Sequence, residues 1–296
     1  MKELRIGLIG CAGRGTLADH ANLPSKARVV AGADRYPEQR QMFLDRYREK
    51  YRTEPAVYTD YREMIDKEQL DGVVIASPDF LHEEHAVYAL EHRVPVYLEK
   101  PIAIAIDSAD RILEAAYAGR TKLVIGHNMR YMAFVRKMKE IIDAGTIGEV
   151  KAVWCRHFVS YGGDAYFRDW HARKAYSNSL LLQKGAHDID VIHFLAGSRT
   201  VRVNGMGNLS VYDKLPRRPA GEERIREGIA SVWKTDHWPP LEQKELYPVI
   251  EVEDVNMINM QLANGVMASY EQCFYTPDTC RNYTVIGTRG RLENYG

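Results

Sequence analysis

The chain lacks most of what would tie it to a polyanion, a membrane or a metal. It has no charge of one sign to spare: 40 Lys and Arg balance 40 Asp and Glu over 296 residues. Without a basic excess or a long basic run, neither nucleic acid nor an anionic membrane surface is an expected partner. No apolar run approaches the ~20 residues of a bilayer span. The opening Met1-Lys2-Glu3-Leu4-Arg5 runs into a short apolar stretch ending in glycines, which is not the cleavage pattern of a secretory signal. Cysteine is scarce: Cys11, Cys155, Cys273 and Cys280 include no Cys-x-x-Cys pair. Neither a zinc knuckle nor a disulfide framework is expected, and a cytoplasmic protein with reduced thiols is.

What is present suffices for a sizeable core. Apolar residues make up 45% of the chain and charged residues 27%, an ordinary globular balance. The length predicts two domains, or one large one, at roughly 100–200 residues per domain. Residues 1–126 alternate short apolar runs with helical segments. The runs are Leu4–Ile9, Arg28–Ala33, Ala56–Tyr58, Gly72–Ala76, Pro95–Leu98 and Leu123–Gly126. Helices are expected near Thr16–Leu23, Pro37–Tyr51, Tyr61–Asp66, Phe80–His92 and Ser108–Ala118, the last capped by Asp107 and stopped at Gly119. That alternation predicts a parallel sheet of α/β class with right-handed crossovers.

Residues 127–296 change character. After a helix over Tyr131–Ala144, closed by Gly145, longer strands are expected at Glu149–Tyr161, Val201–Tyr212, Val255–Leu262, Val266–Tyr275 and Tyr283–Gly287. Asn264-Gly265 signals a hairpin in which both residues take positive φ. Ile258, Met260, Leu262, Val266, Ala268, Tyr270 and Phe274 would share one apolar face. This half is predicted to be α+β with a mostly antiparallel sheet. Lys214–Pro248, rich in charge and proline, is too long for an ordinary loop and reads as a lid, an oligomer arm or a partly mobile insertion.

The segment Gly10-Cys11-Ala12-Gly13-Arg14-Gly15 lies between the first strand and the first helix. A dinucleotide turn needs glycine for the bend, for close approach of the pyrophosphate and for helix–sheet packing. Gly10 and Gly15 fill the first and third roles; Ala12 takes the second, which shifts the phosphates toward Gly13 and Arg14. Asp34 ends the second run, roughly 20 residues on, where a carboxylate takes the ribose hydroxyls and repels a 2′-phosphate. NAD is therefore expected over NADP, although Arg35 offers a phosphate partner. His82-Glu83-Glu84-His85 lacks the i,i+4 histidine spacing of a zinc protease. It reads as His82 opening a helix beside the cofactor and His85 on the helix surface, and no metal site is expected.

Four further motifs carry a resemblance along nearly the whole chain. These are Ser77-Pro78-Asp79-Phe80-Leu81-His82, Glu99-Lys100-Pro101, Gly126-His127-Asn128-Met129-Arg130-Tyr131 and Lys184-Gly185-Ala186-His187-Asp188-Ile189-Asp190. With them the chain resembles the glucose–fructose oxidoreductase / inositol dehydrogenase / MocA family. The resemblance implies a doubly wound Rossmann domain followed by an open-faced α+β domain, through whose sheet members often form homo-oligomers. It implies a sugar or polyol substrate bound between the domains, with NAD contacted by the glycine turn, Ser77, Pro78, His82, Glu99, Lys100 and Asn128. Lys100 would polarise the reacting oxygen, since a cation there stabilises alkoxide character. His187 would accept the hydroxyl proton, an imidazole being suited to that task near neutral pH. Asp190, three residues on, would orient it. Many members carry an aspartate four residues before this histidine; here Gln183 stands there and cannot act as a base, so Lys184 is the candidate donor. Arg130, Tyr161, Trp170 and His171 complete the expected substrate contacts. Two other activities fit the same residues: a redox-neutral epimerase or eliminase with transiently reduced NAD, and a non-catalytic dinucleotide-binding regulator.

Overall fold

In the computed structural model the described residues are 2–24, 26–160, 165–222 and 240–295. They form two compact units, Met1–Gly126 and His127–Gly296.

The first unit is a six-stranded sheet. Its strands are β1 (Leu4–Ile9), β2 (Ala27–Ala33), β3 (Ala56–Tyr58), β4 (Gly72–Ile75), β5 (Val96–Leu98) and β6 (Leu123–Ile125). Every pairing is parallel and the order is β3-β2-β1-β4-β5-β6. Parallel strands are covered on both faces and so need apolar residues throughout; all four residues of β4 are buried. The crossovers include α1 (Pro37–Tyr51), α2 (Tyr61–Lys67), α3 (His82–Glu91) and α4 (Ile106–Gly119). Two local expectations are corrected. The segment after β1 is a 3₁₀ helix, Gly13–Ala21, not an α-helix; two glycines at its start and no continuous apolar stripe leave little to favour the α form. Asp107 does not cap α4. Ala105 holds that position with no side-chain bond, and Asp107 lies in the first turn, where its charge still meets the helix dipole favourably. The helix does end at Gly119, as expected, but not by that glycine's taking positive φ. Arg120 does that, at 48°, and a Cβ on Gly119 would meet Leu90 O at 2.9 Å, so the glycine permits close packing of α4 on α3.

The second unit holds a mixed sheet. Its strands are β7 (Val150–Phe158), β8 (Thr200–Asn208), β9 (Val255–Leu262), β10 (Met267–Cys273), β11 (Cys280–Gly287) and β12 (Gly290–Glu293). The order is β12-β11-β7-β10-β9-β8, parallel only between β7 and β10. One face is covered by α5 (Ala133–Asp143) and α8 (Ala186–Ala196); the expected apolar positions Ile258, Met260, Leu262, Val266, Ala268 and Tyr270 are buried there, and Phe274 is buried in a separate cluster. The hairpin differs from expectation. Only Gly265 takes positive φ, at +85°. Gly265 N–H donates to Leu262 O at 2.9 Å and Leu262 N–H to Val266 O at 2.9 Å, giving a three-residue loop with the glycine at its bulge, the next commonest solution.

The stretch before α8, expected as loop, contains two single-turn helices, α6 (Ala165–Arg168) and α7 (Lys174–Ser177), and a wider π-type turn over Leu181–Gly185. Its aromatic core takes in the described flanks of the 214–248 insertion: Leu215, Leu246, Tyr247 and Ile250 pack with Phe167, Tyr212 and Phe274. These flanks are fixed parts of the unit. Residues 223–239 and the expected contact Tyr161 lie outside the described residues.

Candidate active site

In the first unit the candidate residues gather at the carboxyl ends of the strands, around the crevice between β1 and β4 where the winding direction changes, the place where doubly wound sheets bind ligands. Gly10 has φ +89°, and a Cβ there would meet Ser77 N at 2.7 Å. A Cβ on Gly15 would come within 2.3 Å of Gly10 O. Gly13 (φ +43°) faces open space, with nothing within 4 Å of where its Cβ would stand. Ala12 is extended, at φ −86° and ψ 168°. The bare backbone at Gly13 therefore supplies the close approach that Ala12 does not. This cradle fits a diphosphate.

Asp34 is already oriented. Its Oδ2 accepts from Cys11 N–H at 3.0 Å and its Oδ1 from Tyr36 N–H at 3.0 Å. Arg35 lies over the Tyr36 ring at 4.6 Å and donates to its hydroxyl. Lys100 and Glu99, at the end of β5, are 7% and 4% exposed. The Glu99 carboxylate lies 3.6 Å from the half-exposed Arg14, and its Oε1 is a buried acceptor with no hydrogen bond. A Cβ on Gly126 would stand 3.0 Å from that oxygen. Ser77 is buried, and Pro78 precedes the 3₁₀ turn Asp79–Leu81.

His82 and His85 depart from expectation. His82 is fully buried between two carbonyl oxygens of the protein, Pro101 O at 2.7 Å and Ser77 O at 3.0 Å. Its ring serves those loops and does not face a ligand. His85 is not on the helix surface: it is 8% exposed, with Nδ1 2.9 Å from Ser77 Oγ. Burial pushes each ring down to about 4, so both are neutral at neutral pH.

In the second unit, Asn128 opens the 3₁₀ turn Asn128–Tyr131, and His187 is half-buried in the first turn of α8. Arg130 and Asp190 engage each other. Arg130 Nε donates to Oδ2 at 2.6 Å and Nη2 to Oδ1 at 2.5 Å, while His127 Nδ1 stands 3.9 Å from the same carboxylate. Such a bidentate pair is strong and directional. It joins the turn after β6 to α8, in place of the expected pairing of Asp190 with His187. Gln183 is buried in the π-type turn. The Lys184 ammonium lies 4.6 Å above the Tyr166 ring. Trp170 stacks on His171 at 3.8 Å, and His171 meets the edge of Tyr166 at 5.4 Å.

Sequence reasoning missed Asp188. It shares the buried face of α8 with Val191, Ile192 and Leu195 and is itself 0% exposed. The tyrosine hydroxyl of Tyr283 donates to it, Arg281 Nε lies 3.1 Å from Oδ1, and His157 Nδ1 lies 3.3 Å from Oδ2. Burial alone would raise this carboxyl; Arg281, with His157 and Tyr283, holds it well below the usual carboxylate range. Arg281 also reaches Met129 Sδ at 3.3 Å. The signal was available: an aspartate at the first position of an i, i+3, i+4, i+7 apolar stripe must have a buried cation for company.

Comparison with known proteins agrees with this arrangement. Residues 4–127 match the oxidoreductase family with an NAD-binding Rossmann fold, and residues 135–293 match the GFO/IDH/MocA C-terminal domain. The chain is 33% identical over 199 residues to an inositol 2-dehydrogenase of Burkholderia multivorans, covering 66% of this chain. It spans 55% of that relative's length. Among solved structures it resembles a scyllo-inositol dehydrogenase from Lactobacillus casei with bound NAD(H) and scyllo-inositol, at TM-score 0.74 and 23% identity over 99% of this chain and 76% of that one. A myo-inositol 2-dehydrogenase from Lactobacillus plantarum matches at TM-score 0.75 and 21% identity, over 99% and 76%. At such identities the structures establish the fold. With more than half of its length matched by the C-terminal domain alone, the chain belongs to the GFO/IDH/MocA family.

Proposed function

We propose that this chain is an NAD-dependent oxidoreductase acting on a secondary alcohol of a polyol or sugar. The observation that carries the reading is the gathering, at one end of one parallel sheet, of the glycine cradle, the oriented Asp34 carboxylate and the buried Lys100. The curated relative named as an inositol dehydrogenase and the neighbour holding NAD(H) with scyllo-inositol support the substrate class. When bound, NAD supplies the hydride acceptor. The chain's own residues do the rest. Gly10, Gly13 and Gly15 bring backbone against the diphosphate, with Arg14 as a flanking cation. Asp34 holds a ribose diol and, by its charge, disfavours a 2′-phosphate, so NAD is preferred to NADP. Lys100 stabilises negative charge growing on the substrate oxygen, an effect strengthened by its burial. His187 accepts the hydroxyl proton. Gln183 and Lys184 hydrogen-bond substrate hydroxyls, and Trp170 and His171 offer faces to a ring.

The outer face of the second sheet supports association with a further copy. Trp154, Met206, Met257 and Met267 stand on it, 48%, 76%, 52% and 53% exposed, and large exposed apolar patches mark interaction sites.

The test is steady-state formation of reduced dinucleotide with a panel of inositols and sugars, after calorimetry of NAD and NADP binding. Binding of NAD with turnover on a polyol is the expected result. A chain with no affinity for either dinucleotide would defeat the reading.

A further inference from the structure

The motif His82-Glu83-Glu84-His85 does work that the reading above does not use. On α3 its two histidines, three residues apart, face inward while its two glutamates face out. Arg111 Nη2 donates to Glu83 Oε2 at 2.9 Å and Arg62 Nη2 to Glu84 Oε1 at 2.7 Å. The helix is thereby held in one rotation. On the inner side one turn of helix grips two loops. His82 stands between Ser77 O and Pro101 O, and His85 meets the hydroxyl of the same Ser77. Ser77 is thus held through its hydroxyl by His85, with its carbonyl packed against the His82 ring, and Lys100 is held through the carbonyl of the residue that follows it. A neutral imidazole has one N–H to donate, and Pro101 O, the nearer carbonyl, is its natural acceptor.

We propose that His82 and His85 are positioning residues for the nicotinamide half of the dinucleotide, fixing Ser77 and Lys100 where that half must lie. The inference rests on the dinucleotide reading above. In a sheet of order β3-β2-β1-β4-β5-β6 the two nucleoside halves lie on opposite sides of the β1/β4 crevice. Asp34, after β2, takes the adenosine side. The other half then meets the loops after β4 and β5, and these are the two loops that the histidines join. Neither histidine has a hydrogen bond to the glycine cradle or to Asp34 among the described contacts. The pair therefore acts on one half of the ligand.

The experiment compares two ligands on the full chain by calorimetry: NAD, and ADP, which lacks the nicotinamide nucleoside. His82→Phe keeps a ring of similar bulk and removes the donor. It is expected to weaken NAD by about tenfold or more while leaving ADP within about threefold. His82→Gln, which keeps an N–H of similar reach, is expected to retain most of the NAD affinity. If His82→Phe does not fold, His85→Phe, which releases only the Ser77 hydroxyl, is read by the same NAD-to-ADP ratio and is expected to move it in the same direction. An equal loss for both ligands, an unchanged ratio, or a Gln variant as weak as the Phe variant overturns the proposal. Failure of the unsubstituted chain to bind either ligand would overturn the dinucleotide reading itself, before any variant is compared.

Discussion

In the proposed reaction, Lys100 and Asp34 are the single side chains on which the chemistry and the choice of dinucleotide rest. Lys100 is buried at the end of β5, where the field of a side-chain charge is little screened. Lys100→Met removes the charge and keeps the length. Turnover is expected to fall by about 10²–10³-fold, the range for losing one group that stabilises developing oxyanion charge, with the dissociation constant for NAD changed by less than about threefold. Equal kcat in variant and parent would remove Lys100 from the mechanism. Asp34 answers a different measurement. Its carboxylate is fixed by Cys11 and Tyr36 N–H groups and cannot swing away from an incoming phosphate. Asp34→Ser is expected to weaken NAD and strengthen NADP, moving the ratio of their affinities by about tenfold or more. These two residues were legible in the sequence because each is tied to a strand end by short spacing. Gly10 and Gly15 were legible for the same reason. Asp188, Arg281 and His157 were not paired by any spacing, because they come from α8, β11 and β7. The true roles of His82 and His85 were hidden too. A histidine between two carbonyls and a histidine on a helix surface have the same neighbours in sequence.

At the scale of elements, α8 is the piece in which a carboxylate enters the core. It ends at Gly197, φ +65°, the left-handed cap that glycine favours. Its buried face runs through Asp188, Val191, Ile192, Leu195 and Ala196, because a carboxylate can occupy a core position once Arg281 neutralises it. That single carboxylate joins the first turn of α8 to β7 and β11, beside His187. Asp188→Asn leaves the half-buried Arg281 without its counter-ion. A loss of about 3–5 kcal/mol in unfolding free energy is expected, the usual result of removing one partner of a buried pair. Adding Arg281→Gln to Asp188→Asn restores neutrality and is expected to recover part of the loss, since two neutral partners are less costly than one stranded charge. Denaturant titration of the two single variants and the double measures the coupling, and purely additive losses would show that the pair is not a unit. The strands were legible for the opposite reason. β1, β3 and β9 have the boundaries that their runs announced, because a short run rich in β-branched and aromatic or apolar residues, bounded by turn formers, has few other ways to pair. The helix after β1 was announced but its 3₁₀ winding was not, and the small helices before α8 were not announced, since four-residue turns carry too few positions to show a period.

At the scale of the whole molecule, association and acid stability each follow from a surface or a set of buried rings. If the outer face of the second sheet joins two copies, a charge placed on it must desolvate at the contact. Met257→Lys is expected to shift the light-scattering mass toward the monomer while leaving the melting temperature nearly unchanged at low protein concentration; a mass that does not move places the contact elsewhere. Acid stability depends on groups that resist protonation only when folded. His82 and His85 are held down from 6.5 to about 4 by burial, and burial lowers His157 and His193 in the same direction. As pH falls through 6.5 the unfolded chain takes up protons that the folded chain refuses until about 4. The stabilisation is therefore complete above 6.5 and drains away between 6.5 and 4, by roughly 3 kcal/mol for each of the two rings. Asp188, whose carboxyl is depressed, adds its own loss only below the ordinary carboxylate range, as falling pH protonates the unfolded chain first. Melting temperature is thus expected to be flat above neutrality, to fall from 6.5 toward 4, and to fall again below that. The chain carrying His82→Gln and His85→Gln together should start lower at pH 7.5 and lose less between 6.5 and 4, because two of its proton acceptors are gone from the unfolded state. A parent and a double variant whose melting curves run parallel through that window would show that these rings are not what acid attacks first.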